Sequence, residues 1–177
     1  MVSKCDLGLP SLDDPIFKSK LGIRLDIGCG EAKQKNWVGL DKRPLKGVDI
    51  VWDVQDFPWP IPDNCCFQAL MSHLWEHIEP KYRFDVINEI WRIMKPGGQL
   101  LLSSPYYQSF GALQDPSHYG CPNEATFLYF TPKSPILYGI YKPKPWNVIS
   151  NVYNFCGNLE VIMEAIKEEA EIEAATR

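Results

Sequence analysis

Arg24-Leu25-Asp26-Ile27-Gly28-Cys29-Gly30 is an apolar, strand-like run that ends in a glycine turn, and Val38-Gly39-Leu40-Asp41 is a second short run that ends in an acid. Glycines at the carboxyl end of a strand let the backbone approach a ligand that a Cβ would repel. An acid ending the next strand can accept from the ribose hydroxyls of a nucleoside. The pair constrains the chain to a parallel sheet with a nucleoside pocket at its carboxyl edge. The third glycine of the dinucleotide pattern G-x-G-x-x-G is absent, its position being Lys33. Glu31 to Val38 is also too short for a full crossover helix, so the first helix is expected to be about one turn or a loop.

Residues 22–28, 37–41, 48–52, 67–72 and 99–103 read as strands. After Pro80, the residues Tyr82, Val86, Ile87, Ile90, Ile93 and Met94 recur at helical spacing, and Pro96-Gly97-Gly98 is a stop signal. Residues 57–64 form a proline-punctuated loop. A short helix is expected around Pro15-Ile16-Phe17. Apolar stretches at 146–153 and 159–166 flank Cys156-Gly157-Asn158, a hairpin signal. The expected fold is α/β: a doubly wound, mostly parallel Rossmann-like sheet with an antiparallel C-terminal hairpin and a truncated first helix. Residues 1–167 are expected to form one domain, with a cap segment at 1–20, an acceptor-site insert at 106–145, and an acidic tail at 168–177.

The net charge is −4, of which Glu168, Glu169, Glu171 and Glu173 against Arg177 account for −3. The nearly neutral body gives no indication of a broad nucleic-acid surface, although a local basic patch stays open. No stretch approaches the roughly 20 apolar residues of a membrane span, and the start carries no apolar signal core. The six cysteines show no CxxC pair and read as reduced thiols, so a cytoplasmic location is expected.

Taken in order, Leu25-Asp26-Ile27-Gly28-Cys29-Gly30, Gly39-Leu40-Asp41, Trp52-Asp53-Val54, Ser72-His73-Leu74-Trp75-Glu76-His77-Ile78 and Met94-Lys95-Pro96-Gly97-Gly98 resemble class I S-adenosylmethionine-dependent methyltransferases. The likeness is to the small subgroup with a short link between the first two strands, and it covers residues 22–105 best. It implies S-adenosylmethionine as cofactor. On that resemblance, Gly28, Cys29 and Gly30 face the methionine part, and Asp26 holds the turn or the cofactor's ammonium through water. Asp41 takes the ribose hydroxyls, Asp53 accepts from the adenine amino group, and Val54 contacts the ring. Ser72 and His73 line the methionine side. Lys33, or amides near Glu31, would meet the cofactor's carboxylate.

The methyl acceptor is expected beyond the fifth strand. Tyr106, Tyr107, Asp115 and His118 are the candidate acceptor-binding residues, and His118 is the candidate catalytic base, against a reading in which it only packs or caps a turn. A loop as long as 106–126 in a compact domain is usually functional or mobile. Glu76 and His77 read equally as a helix start and as site residues. His118-x-x-Cys121 is half a metal site by spacing, but no second pair is evident, so no metal is expected. The expected activity is methyl transfer by in-line displacement to a small molecule or an unidentified macromolecule. The alternatives are a methyltransferase-fold partner subunit without turnover, and a nicotinamide oxidoreductase, against which the absent glycine and short first link speak. The oligomeric state is not legible.

Overall fold

The computed structural model describes residues 15–17 and 21–167. Most of the expected N-terminal cap (1–14 and 18–20) and the acidic tail (168–177) lie outside the described residues. Within them, Pro15–Phe17 forms a short 3₁₀ turn that buries Phe17.

The strands are β1 (Ile23–Ile27), β2 (Val38–Asp41), β3 (Ile50–Val51), β4 (Cys66–Ser72), β5 (Met94–Pro105), β6 (Trp146–Tyr153) and β7 (Asn158–Ala165). They form a single mixed sheet in the order β3-β2-β1-β4-β5-β7-β6. β1 to β5 pair in parallel, whereas β7 runs antiparallel to both β5 and β6. The strand order reverses between β1 and β4. Ligands of open α/β sheets bind at such a switch point, beyond the carboxyl ends of the strands.

The helix α1 (Arg83–Ile93) crosses from β4 to β5 and buries Val86, Ile87, Ile90 and Ile93 completely. Each such side chain removed from water contributes about 1.5–3 kcal/mol. That stripe packs on Leu25, Ile27, Ala69, Met71, Leu100 and Leu102 of the sheet, all in one core. The helix stops one residue earlier than its apolar spacing suggests. Met94 is already extended, pairs with Cys66 and is fully buried as a strand residue. Pro96 disfavours helical backbone at Lys95, so the chain turns out before the glycines rather than at them.

Between β1 and β2 the described chain has no helix; a loop replaces it. Asp26 Oδ2 accepts from Gln34 N at 2.8 Å, and Gly28 N and Cys29 N both donate to Leu40 O. These bonds do for the loop what a helix would do for a longer link. The segment read as an open loop at 106–126 contains a short helix, α2 (Phe110–Gln114), whose Ser109 Oγ accepts from Ala112 N. At five residues this helix is too short for apolar periodicity to reveal it, and its Phe110 and Leu113 are more than four-fifths exposed. A 3₁₀ turn at Thr126–Phe130 and the helix α3 (Pro135–Tyr141) complete the insert. Phe127 and Phe130 anchor it in the core.

Candidate functional site

Two adjoining cavities open along the carboxyl edge of the sheet. The first, of about 330 Å³, lies beyond β1, β2, β3 and β4 and is lined by Gly28, Asp41, Asp53, Val54, His73 and Leu74, among others. The second, of about 410 Å³, lies beyond β4 and β5 and is lined by Glu76, Pro105, Asp115, His118 and Asn158, among others. His73 and His77 line both. Each volume is in the range of small-molecule sites.

Gly28 has φ +71°, and a Cβ there would lie 2.9 Å from Leu74 Cδ2. Only glycine combines this left-handed turn with so close an approach. Gly28 lines the first cavity, but Cys29 and Gly30 do not. The Cys29 thiol is instead buried against Gly39, and burial together with the charges of Asp26 and Asp41 pushes its pKa up to about 11. Asp26 is 4% exposed and fastens the turn through Gln34. Burial raises its pKa, opposed by that bond and by Lys33.

Asp41 is almost wholly buried at the end of β2. Its Oδ2 accepts from Gly30 N at 2.9 Å, and its Oδ1 from Arg43 N at 2.9 Å and Arg43 Nε at 3.2 Å. A carboxylate offers about four acceptor positions, so about one remains on the cavity side. Arg43 is well exposed, and swinging it away frees a second. Burial pushes the Asp41 carboxyl up, but the bonds from Arg43 and Gly30 outweigh it and hold the pKa below its ordinary value. Asp53 Oδ1 accepts from Gln55 N at 3.0 Å, and Val54 O accepts from Trp59 Nε1 at 3.0 Å.

His73 follows β4 with φ +52°, uncommon for a residue with a side chain. Its amide donates to Ser103 O at 2.8 Å, and Asn158 Nδ2 donates to its Nε2 at 3.3 Å. The turn carries the chain out of β4 and aims the imidazole between the two cavities. Ser72, one residue earlier, lines neither. Lys33 is engaged elsewhere: its Nζ pairs with Asp49 Oδ2 at 2.8 Å, and its stem lies over Gly39. The geometry therefore gives it no part in the first cavity.

On the acceptor side, Tyr119 N donates to Glu76 O at 2.8 Å, and Arg83 Nη2 donates to Gly120 O at 2.7 Å. These bonds draw the insert over the 3₁₀ turn Trp75–His77. Asp115 and His118 both reach the second cavity. Asp115 Oδ1 accepts from Ser117 N and from Ser117 Oγ, each at 2.8 Å, and these bonds lower its pKa. Tyr106 and Tyr107 line neither cavity. The Tyr106 hydroxyl donates to the Glu124 carboxylate, and its ring packs on Tyr107 and Tyr153. Trp52, Gln55 and Ile78 also line the first cavity; Trp52 and Ile78 stand in the sequence motifs without an assigned role, and Gln55 lies just outside them.

No protein-family model matches the chain, and no curated protein sequence matches it either. Solved structures do match its fold. A SAM-dependent methyltransferase from Archaeoglobus fulgidus superposes with TM-score 0.59 at 16% identity, over 85% of this chain and 88% of that one. A chain of the complex between the Haloferax volcanii Trm112 methyltransferase activator and a methyltransferase gives TM-score 0.58 at 14% identity, over 84% of each chain. The N-methyltransferase NodS from Bradyrhizobium japonicum WM9, in complex with S-adenosyl-L-homocysteine, gives 0.53 at 12% identity, over 82% of this chain and 79% of that one. The chain thus has the fold of class I SAM-dependent methyltransferases.

Proposed function

We propose that the chain binds S-adenosylmethionine in the first cavity and transfers its methyl group to an acceptor in the second. The observation that carries this reading is the junction of the two cavities at His73 and His77, directly beyond the strand-order reversal. The residues present suit the cofactor. Gly28 leaves a cradle that a Cβ would fill, and Asp41 keeps an acceptor position for a ribose hydroxyl. Asp53 and Val54 line the same cavity and would take the adenine. When bound, the cofactor supplies a sulfonium methyl that needs little activation, so alignment and exclusion of water are the protein's main tasks.

His73 and His77 line both cavities and would stand between cofactor and acceptor. Asp115 and His118 form part of the far wall, and His118 there is within the space an acceptor would fill. A hydroxyl or ammonium acceptor must lose a proton, and His118 is the residue best placed to receive it. No described helix is long and apolar enough to cross a membrane. Calorimetry with S-adenosylmethionine, its demethylated product and NAD tests the reading. One equivalent of each of the first two is expected to bind, and NAD is not. Binding of NAD alone, or of none of the three, overturns it.

A further inference from the structure

The second cavity holds three side chains that cofactor binding leaves without a task. Glu76 and His77 come from the turn after β4, and His118 comes from the insert 41 residues further along the chain. One ligating atom of each lies within 4.8 Å of the others. The His77 and His118 rings meet edge to face, with centroids 4.8 Å apart.

Each of the three is prepared in a way that packing does not require. Glu76 is 1% exposed. Its Oε2 accepts from Ser104 Oγ at 3.0 Å, but its buried Oε1 accepts no hydrogen bond. His73 Nδ1 lies 3.4 Å from that oxygen without making a hydrogen bond to it. A buried carboxylate oxygen without a donor is costly unless something positive meets it. His118 Nδ1 lies 3.2 Å from Ala112 O. A carbonyl only accepts, so this nitrogen carries the hydrogen, with Cys121 Sγ a second neighbour at 3.9 Å, and in the neutral ring the free lone pair is on Nε2. His77 Nδ1 lies 3.3 Å from Ser117 Oγ, whose own hydrogen goes to Asp115 Oδ1. The His77 nitrogen therefore donates, and its Nε2 has no hydrogen-bond partner among the described residues; His118 Nε2 has the Asp115 carboxylate near it, Oδ2 at 4.0 Å. Outer partners that fix the tautomer in this way are the usual support of metal-binding histidines.

We propose that Glu76, His77 and His118 bind a divalent transition-metal ion, with its remaining positions open to the second cavity. Two imidazole nitrogens and one carboxylate suit Zn²⁺, Co²⁺, Mn²⁺ or Fe²⁺, whereas Ca²⁺ takes oxygen ligands. Ligand bonds of about 2.0–2.2 Å require the three atoms to draw in by about an ångström. The ion sits where an acceptor oxygen would coordinate it beside the methyl donor. With the ion bound, His118 Nε2 is a ligand and no longer a base, so the O–H proton leaves to solvent, the oxygen pair forms the C–O bond, and the C–S pair stays on sulfur as a neutral thioether. That use of the ion rests on the proposed function; binding of the ion does not.

The test titrates the chelator-stripped full chain with Co²⁺, following the visible absorption bands and the imidazole resonances of His77 and His118. One equivalent is expected to bind and to shift both rings. His118→Ala and His77→Ala, checked for folding by circular dichroism, are each expected to weaken Co²⁺ at least tenfold. Wild type that shows no Co²⁺ bands, imidazole signals that do not move, or a folded His118→Ala variant with unchanged Co²⁺ affinity overturns the site. A parallel titration with S-adenosyl-L-homocysteine keeps the two readings apart. Its failure beside intact Co²⁺ binding sinks the function and leaves the metal site standing.

Discussion

Replacing Asp41 by alanine separates two consequences of one carboxylate. In the free protein it holds Gly30 N, Arg43 N and Arg43 Nε. Hydrogen bonds to a charged partner are worth about 1.5–3 kcal/mol each, and Arg43 Nε is too exposed to count at that rate. Losing the two amide bonds therefore costs about 3 kcal/mol of stability. In the complex the remaining acceptor position meets a ribose hydroxyl. Losing that bond weakens binding by about 1.5–3 kcal/mol, or about 10- to 150-fold in Kd. Urea denaturation reads the first effect, and calorimetry with S-adenosyl-L-homocysteine reads the second. Asp49→Asn is the control. Asp49 Oδ2 accepts from Gly39 N at 2.7 Å and pairs with Lys33, anchoring the same loop without lining the cavity. Its variant is expected to change Kd by less than about threefold. A folded Asp41→Ala protein that binds within twofold of wild type, or an Asp49→Asn loss of equal size, refutes the reasoning.

Gly28→Val places a branched side chain at φ +71° against Leu74, where strain of about 1–3 kcal/mol is expected together with loss of cofactor binding; normal affinity by calorimetry would place the ligand elsewhere. Ser104→Ala strips the buried Glu76 carboxylate of its hydroxyl donor and is expected to lower stability by about 1–3 kcal/mol in urea, an unchanged midpoint contradicting that bond's role. Burial holds Lys167 at a pKa of about 8, below its ordinary 10.5. The unfolded chain therefore binds more protons between these values. This contribution to stability is complete above about pH 10.5, shrinks as pH falls, and is gone below pH 8. Lys167→Met is expected to flatten the slope of stability against pH in that window, and an identical slope would show that the ammonium is not held as described.

The lining of the first cavity was legible because local signals decide it. A glycine turn and an acid at a strand end are short-range patterns, and Gly28, Asp41, Asp53, Val54 and His73 all line one cavity. Cys29, Gly30 and Ser72 were named with them but do not line that cavity, since motif position does not say which groups face it. The loop in place of the first helix followed from the count between Glu31 and Val38. Lys33 escaped because its partner, Asp49, is set by the pairing of β2 with β3, which no local pattern reveals. The meeting of Glu76, His77 and His118 is of the same kind. It depends on Tyr119 and Arg83 folding the insert onto the turn after β4, whereas local spacing pairs His118 only with Cys121, whose Sγ lies 3.9 Å from His118 Nδ1. Tyr106 and Tyr107 follow the fifth strand as expected, yet line neither cavity: the Tyr106 ring packs on Tyr153 of the C-terminal hairpin and on Tyr107.

The central claim is that one cavity at the strand-order reversal holds the methyl donor. Titrating the isotope-labelled chain with S-adenosyl-L-homocysteine and following its amide resonances tests both binding and place in a single measurement. Saturable shifts are expected at Gly28, Gly30, Asp53, Val54, Gln55 and His73, with β6 and α3 unmoved. No shifts at saturating ligand, or shifts confined to residues away from the carboxyl edge of β1, β2 and β4, would contradict the account.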